Sequence, residues 1–346
     1  MDRELLRRLP KAELHCHLDG SVRPATLLDL GREYGVHMPA ATEDALRDYM
    51  HVNDAQNLEE YLERFEVTLS VMQRAEAMER IAYELAADAA AEGVRYIEVR
   101  YAPILNVREG LDLGEAVEAP LRGLARAESQ HDIVARVIVC AIRNMSPDTS
   151  LELARLAVDY RNRGVVGFDL AGGEAGNPAT RHVAAFTHAR ENDMLCTCHA
   201  GEGDGPESCR AAIHACGARR LGHATRLIED ESLVEYVNDA RIALEICLTS
   251  NLQTRAVASL EQHPFREYFD RGLNVVLNTD NRLMSGVNLV DEYALAHEKL
   301  GFTFDELARI ALNGFESAFL PYEARRTLIE RAEREIEALR ATTESA

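Results

Sequence analysis

Short apolar runs alternate with longer stretches of helical spacing along nearly the whole chain. Eight runs predict strands: Ala12–Leu18, Val94–Tyr101, Ile133–Ile142, Val165–Leu170, Met194–His199, Arg220–His223, Ile242–Leu248 and Asn274–Asn278. Between them apolar residues recur at helical intervals, as in Leu153, Ala154, Leu156, Ala157 and Tyr160, or Leu233, Val234, Tyr236 and Val237. Pro147 and Pro178 stand near helix starts, where a missing N–H costs little. Strand–helix alternation implies parallel strands with crossover helices. Eight units predict an α/β fold, a single (β/α)8 TIM barrel over residues 1–346. A doubly wound sheet usually carries fewer strands, and no Gly-x-Gly-x-x-Gly opens a helix. Residues 42–91 read as a helical insertion after strand 1, and about the last 45 residues as additional C-terminal helices. The stripe Tyr61, Phe65, Leu69 and Met72 within that insertion has two readings, closure over a bound molecule and ordinary helix packing, of which packing is the expectation.

Barrel geometry gives some residues meaning, because active sites of this fold sit at the C-terminal ends of strands. The first strand ends Glu13-Leu14-His15-Cys16-His17-Leu18-Asp19. Its period of two puts His15 and His17 on the inner face and Cys16 on the helix side. The fifth run places His199 inward and ends at Glu202. The sixth ends at His223, and the eighth runs into Asp280 and Asn281. Gathered at one barrel mouth, His15, His17, His199 and Asp280 offer three nitrogens and a carboxylate, a set suited to Zn²⁺ with room for a water. A bound metal lowers that water's pKa toward about 7. Glu202 and His223 are left over as acid and as base or water-orienting group, a constellation able to hydrolyse an amide, ester or amidine-like carbon.

Composition narrows the partners. With 38 basic and 58 acidic residues the net charge is −20, which argues against nucleic acid or anionic lipid. No apolar run is long enough to span a membrane, and residues 1–8 lack the apolar core of a signal peptide. Cytoplasmic residence is therefore expected. Seven cysteines, odd in number and mostly within apolar runs, read as buried thiols; Cys196 and Cys198 are among them, not zinc ligands. Only Lys11 and Lys299 are lysines, which excludes a phosphate-binding loop ending in Gly-Lys-Ser/Thr.

Five segments in order resemble the motifs of the adenosine deaminase family: PKAELHCHLDG at 10–20, GFDLAG at 167–172, HAGE at 199–202, LGH at 221–223 and NTD at 278–280. The likeness spans roughly residues 9 to 320. It implies zinc-dependent deamination of adenosine and 2′-deoxyadenosine to inosine forms, with a small purine nucleoside as partner. By position, His15, His17, His199 and Asp280 resemble the family's zinc ligands, Glu202 its proton donor and His223 the histidine that orients or deprotonates water. Asp19 matches the ribose contact and Gly172 the backbone contact to the purine. Asn281 falls where a second Asp usually bonds N7, and its amide N–H suits the same acceptor. Leu248 and Ala224 stand where Pro and Gly are common. Related two-metal enzymes often bridge their ions with a carboxylated lysine on strand 4. Val165–Ala171 has none, so one Zn²⁺ per chain is expected. The alternatives are another 6-aminopurine substrate, such as 6-aminodeoxyfutalosine or adenine, and a non-catalytic purine-binding barrel.

Overall fold

In the computed structural model, which describes residues 1–52 and 58–344, eight strands form one sheet in the order β1 to β8. They are β1 (Lys11–His17), β2 (Val94–Tyr101), β3 (Val134–Ile142), β4 (Val165–Ala171), β5 (Leu195–Ala200), β6 (Arg220–His223), β7 (Ala243–Ile246) and β8 (Val275–Leu277). Every adjacent pair is parallel, and each strand coincides with one of the eight apolar runs. A bridge between Cys16 and Asp280 closes the ring. There His17 N–H donates to the Asp280 carbonyl (2.7 Å) and Asp280 N–H donates to the His15 carbonyl (3.0 Å). The barrel seam is thus made from the backbone of three residues predicted to carry chemistry.

Helices cover the outside because each presents one apolar face to the strands. Helix Ala75–Ala91 lies against helix Leu113–Gln130 at very short range. Gly123 permits that approach, since a Cβ there would sit 2.1 Å from the Glu79 carbonyl oxygen. Helix Pro147–Asp159 starts as expected, with proline in its first turn and Ser146 Oγ accepting from Thr149 N–H at 3.1 Å. The connection from β1 to β2 carries helices Pro24–Tyr34, Glu43–Met50, Leu58–Leu62, Phe65–Leu69 and Ala75–Ala91. The last of these packs on β2 as the barrel's own crossover helix. Among the described residues, the helices additional to the barrel therefore end before residue 75, short of the expected 91. Residues 53–57 of the expected insertion lie outside the described set.

The chain end behaves as predicted, with helices Arg282–Ser285, Leu289–Leu300, Phe304–Ser317 and Tyr322–Glu344 following β8. The segment joining the last two plugs the bottom of the barrel. Phe319 N–H donates to Glu98 Oε1 at 2.6 Å, and Arg220 Nη1 donates to the Ser317 carbonyl at 2.9 Å. The Arg220 guanidinium lies 3.5 Å from the centre of the Phe319 ring, a cation–π contact.

The middle of the barrel is charged instead of apolar. Glu98, Arg100, Asp169, Arg220 and Glu245 are all buried there. Arg100 spans Asp169 Oδ2 (3.1 Å) and Glu245 Oε2 (2.8 Å), while Arg220 pairs with Glu98 and with Glu245 Oε1 (2.6 Å). Burial alone would raise the Glu245 pKa, but Arg100 and Arg220 outweigh it and hold the carboxyl well below its ordinary range. All seven cysteines are free and buried, and burial pushes the Cys196 thiol up to about 12. Lys11 sits at the opposite end of β1 from the histidines. Its Nζ donates to the Leu6 and Leu9 carbonyls (2.7 and 2.6 Å), and burial lowers its pKa to about 7. Lys299 is exposed on an outer helix. Neither lysine reaches the barrel mouth.

Candidate active site

The C-terminal ends of the strands bring the predicted residues together around a cavity of about 370 Å³. His17, Asp19, Gly172, His199, Glu202, His223, Asp280 and Asn281 all line it. His15 lies beneath them, fully buried. His15, His199, His223 and Asp280 offer donor atoms all within 4.8 Å of one another. His17 joins this group, with Nε2 3.2 Å from His199 Nε2 and 3.4 Å from Asp280 Oδ1.

Strand geometry alone would not aim these side chains so tightly; backbone kinks and buried carboxylates do. His223, Ala224 and Asp280 have φ of 66°, 51° and 62°, left-handed values that cost a non-glycine residue about 1 kcal/mol or more. Strain of this sort persists only where the surroundings fix the residue, and here it turns β6 and β8 abruptly into the cavity. Ala224 at φ 51° also explains why glycine suits that position. Leu248 opens helix Leu248–Gln253, and its N–H donates to Glu292 Oε2 at 2.8 Å, a bond that proline could not make.

Behind the histidines stand their orienting partners. His15 Nδ1 is 2.9 Å from Glu245 Oε2, and His199 Nδ1 is 3.0 Å from Asp169 Oδ2. Both carboxylates are held ionised, so each imidazole gives its Nδ1 proton outward and turns an Nε2 lone pair to the mouth. His15 Nε2 is buried 3.3 Å from Asp280 Oδ1 and makes no hydrogen bond. Burial lowers the pKa of His17 and His199, which favours neutral rings. Burial would raise the Asp280 pKa, but the histidines gathered around it outweigh that and keep the carboxyl ionised. Its Oδ2 accepts from Ser250 Oγ at 2.6 Å. Lone pairs and a carboxylate converging without a donor between them are what a divalent cation requires, so the residues fit a metal ion.

Glu202 is fixed by its backbone. Glu174, only 2% exposed, accepts N–H bonds from Gly201 (2.7 Å), Glu202 (2.9 Å), Gly203 (2.7 Å) and Asp204 (3.2 Å). Four successive amides wrapped on one carboxylate hold the loop as a nest. Glu202 Oε2 then lies 3.4 Å from His223 Nε2. Asp19 faces the cavity from β1's end with Oδ1 buried and without a hydrogen bond. Burial raises its pKa to about 7. Gly172 has φ +92°, leaving its backbone bare to the cavity. Asn281 packs against Gly20, where a Cβ would fall 1.9 Å from Asn281 Oδ1.

One expectation fails. Tyr61, Phe65 and Leu69 are not mere packing, for with Leu58 and Leu62 they form the apolar wall of the cavity; only Met72 of that stripe is confined to the core. Helical spacing shows which face is apolar, not what that face meets. Sequence reasoning also missed Arg100, Glu174, Glu245 and Asn251. Arg100 carried a legible signal, since Tyr96, Glu98 and Arg100 alternate with Ile97, Val99 and Tyr101 along β2.

Comparison with known proteins fits this geometry. A family model described as adenosine deaminase matches residues 10–335. An adenosine deaminase of Mycobacteroides abscessus is 42% identical over 348 residues, covering 95% of this chain and 96% of that protein. A probable adenosine deaminase of Dictyostelium discoideum is 41% identical over 92% of this chain, which spans only 41% of that longer protein. Among solved structures, an amidohydrolase from Burkholderia ambifaria with bound Zn superposes with a TM-score of 0.89 at 26% identity, covering 99% and 95% of the two chains. Adenine deaminase from Arthrobacter aurescens gives 0.87 at 26% identity over 95% and 99%. The Arabidopsis N6-mAMP deaminase gives 0.86 at 29% identity over 96% and 99%.

Proposed function

Because the chain belongs to the adenosine deaminase family, we propose that it hydrolyses the 6-amino group of adenosine and 2′-deoxyadenosine, yielding inosine forms and ammonia. The observation that carries this reading is the meeting of Glu202, His223 and Asp280 at the cavity end where the Nε2 lone pairs of His15 and His199 converge. We assign His15, His17, His199 and Asp280 as ligands of one Zn²⁺. Bound there, Zn²⁺ supplies the Lewis acidity that brings the pKa of a water toward about 7.

The chain's own residues do the rest. The apolar wall of Tyr61, Phe65 and Leu69 excludes solvent from the purine and its sugar. Asn281 donates its amide to N7, the bare backbone of Gly172 meets the ring, and Asp19 receives a sugar hydroxyl. Attack at C6 breaks aromaticity, so N1 must gain a proton as oxygen adds, and Glu202 gives it. Asp280 takes a proton from the water, and His223 meets the hydroxyl growing on C6. One of the water's protons ends on the departing ammonia, and the other replaces the one Glu202 gave to N1. The C6–N bond breaks, leaving a 6-oxo purine.

The unsatisfied Asp19 oxygen favours a hydroxylated sugar over free adenine. Ammonia release should be measured on adenosine, 2′-deoxyadenosine, adenine, methylthioadenosine and aminodeoxyfutalosine, and methylamine release on N6-methyl-AMP. Turnover is expected to be highest on the first two. No turnover of any of them by zinc-replete protein would favour a purine-binding barrel instead. Elemental analysis is expected to find one zinc per chain; two would overturn the single-metal assignment.

A further inference from the structure

Four histidines crowd the barrel mouth, and proximity does not say which of them is a ligand and which is a hydrogen-bond donor. A chain of hydrogen bonds behind His223 does. It begins at a group whose direction is not open to choice, the backbone N–H of Phe265. That N–H donates to His263 Nδ1 at 3.1 Å. His263 is buried, and desolvation lowers its pKa to about 3, so the ring is neutral and its one proton sits on Nε2. His263 Nε2 is 3.1 Å from the Asn251 side chain, which must present its oxygen to that donor. The Asn251 amide nitrogen is then turned the other way, 2.9 Å from His223 Nδ1. An amide N–H at that distance makes His223 Nδ1 an acceptor. A neutral imidazole accepting at Nδ1 carries its proton on Nε2.

We infer that Asn251 and His263 are positioning residues that lock His223 in the Nε2–H tautomer, so that this ring enters the cavity as a donor and not as a metal ligand or proton acceptor. The contrast with its neighbours is internal to the site. His15 and His199 have carboxylates behind Nδ1, which draw the proton outward and free Nε2 to bind a cation. His223 has an amide N–H behind Nδ1, which pushes the proton to the mouth. The two kinds of backing group thereby divide adjacent histidines into ligands and a donor. The donor points at Glu202 Oε2, 3.4 Å away, and at the place where oxygen must add to C6. In this scheme Asp280, not His223, receives the water's proton. The inference rests on the deaminase reading for its catalytic meaning, but the tautomer itself does not.

The test is nitrogen NMR of zinc-loaded protein with ¹⁵N-labelled histidine, the His223 signals being identified by their loss in His223→Gln. The wild type is expected to show a protonated Nε2 and an unprotonated Nδ1 at His223. In Asn251→Asp, which preserves shape but replaces the N–H with an acceptor, the proton is expected to move to Nδ1. Its kcat should fall by about 100-fold, while the affinity for inosine stays within about threefold. A wild-type ring protonated on Nδ1 overturns the inference, even if Asn251→Asp does not fold. So does an Asn251→Asp protein with an unmoved proton. The expected tautomer in a protein that deaminates nothing on the panel would leave this inference standing and remove the deaminase reading.

Discussion

Glu202→Gln is expected to lower kcat for adenosine by about 10²- to 10⁴-fold with zinc content unchanged. The substitution is isosteric and keeps a side chain able to donate an N–H toward purine N1, so ground-state binding should survive and KM should move only a few-fold. What it removes is a proton that can be transferred. Glu202 sits on a loop whose four amides are held by Glu174, so the backbone has no reason to shift when the side chain loses its acidity. Steady-state kinetics on adenosine, with metal analysis of the same sample, checks the result. Full deamination by the variant would remove Glu202 from the proton-donor role.

That loop shows what the sequence could and could not convey. Glu202 was legible because it stands two residues past the end of β5, at a mouth already rich in histidine. Glu174, which holds it, was not, because its partners are backbone amides that leave no trace in side-chain pattern. The same division runs through the barrel. Alternation on β1 placed His15 and His17 inward, and the eight apolar runs located the strands to within a few residues. Left-handed φ at His223, Ala224 and Asp280 was invisible, because only a glycine would have announced it. The wall of Tyr61, Phe65 and Leu69 was found as a stripe yet misplaced, since amphipathic spacing is the same whether a helix faces a core or a cavity. Asn251 and His263 act through a backbone N–H and an amide orientation, neither of which a residue type specifies.

Arg100→Met is expected to destabilise the fold by about 3–5 kcal/mol, the second large effect. Arg100 is fully buried between Asp169 and Glu245, and its Nη2 also donates to the Leu14 carbonyl. Methionine fills much of the space but leaves Asp169 without its guanidinium and Glu245 with Arg220 alone to offset the desolvation. Both are held below the ordinary carboxylate range: burial would raise each, while Arg100 with Arg220 lowers Glu245, and His199 with Arg100 lowers Asp169. A depressed carboxylate stabilises fully above its unfolded pKa, about 4, and loses that contribution as pH falls through the folded value. Denaturant unfolding at pH 7 therefore reads the whole effect. Neutralising the stranded pair as well, in Arg100→Met with Asp169→Asn and Glu245→Gln, should recover much of the stability, because replacing a buried ion network costs far less than breaking it. Metal affinity should not recover. Asp169 and Glu245 draw the Nδ1 protons of His199 and His15 away from the mouth, and amides do so less strongly. Chelator competition is expected to show zinc held about 10- to 100-fold more weakly in the triple variant. Equal zinc affinity in the triple variant and the wild type would mean that the charged barrel interior serves folding alone. A stability that recovers while affinity does not would show that its charges are kept for the metal site above them.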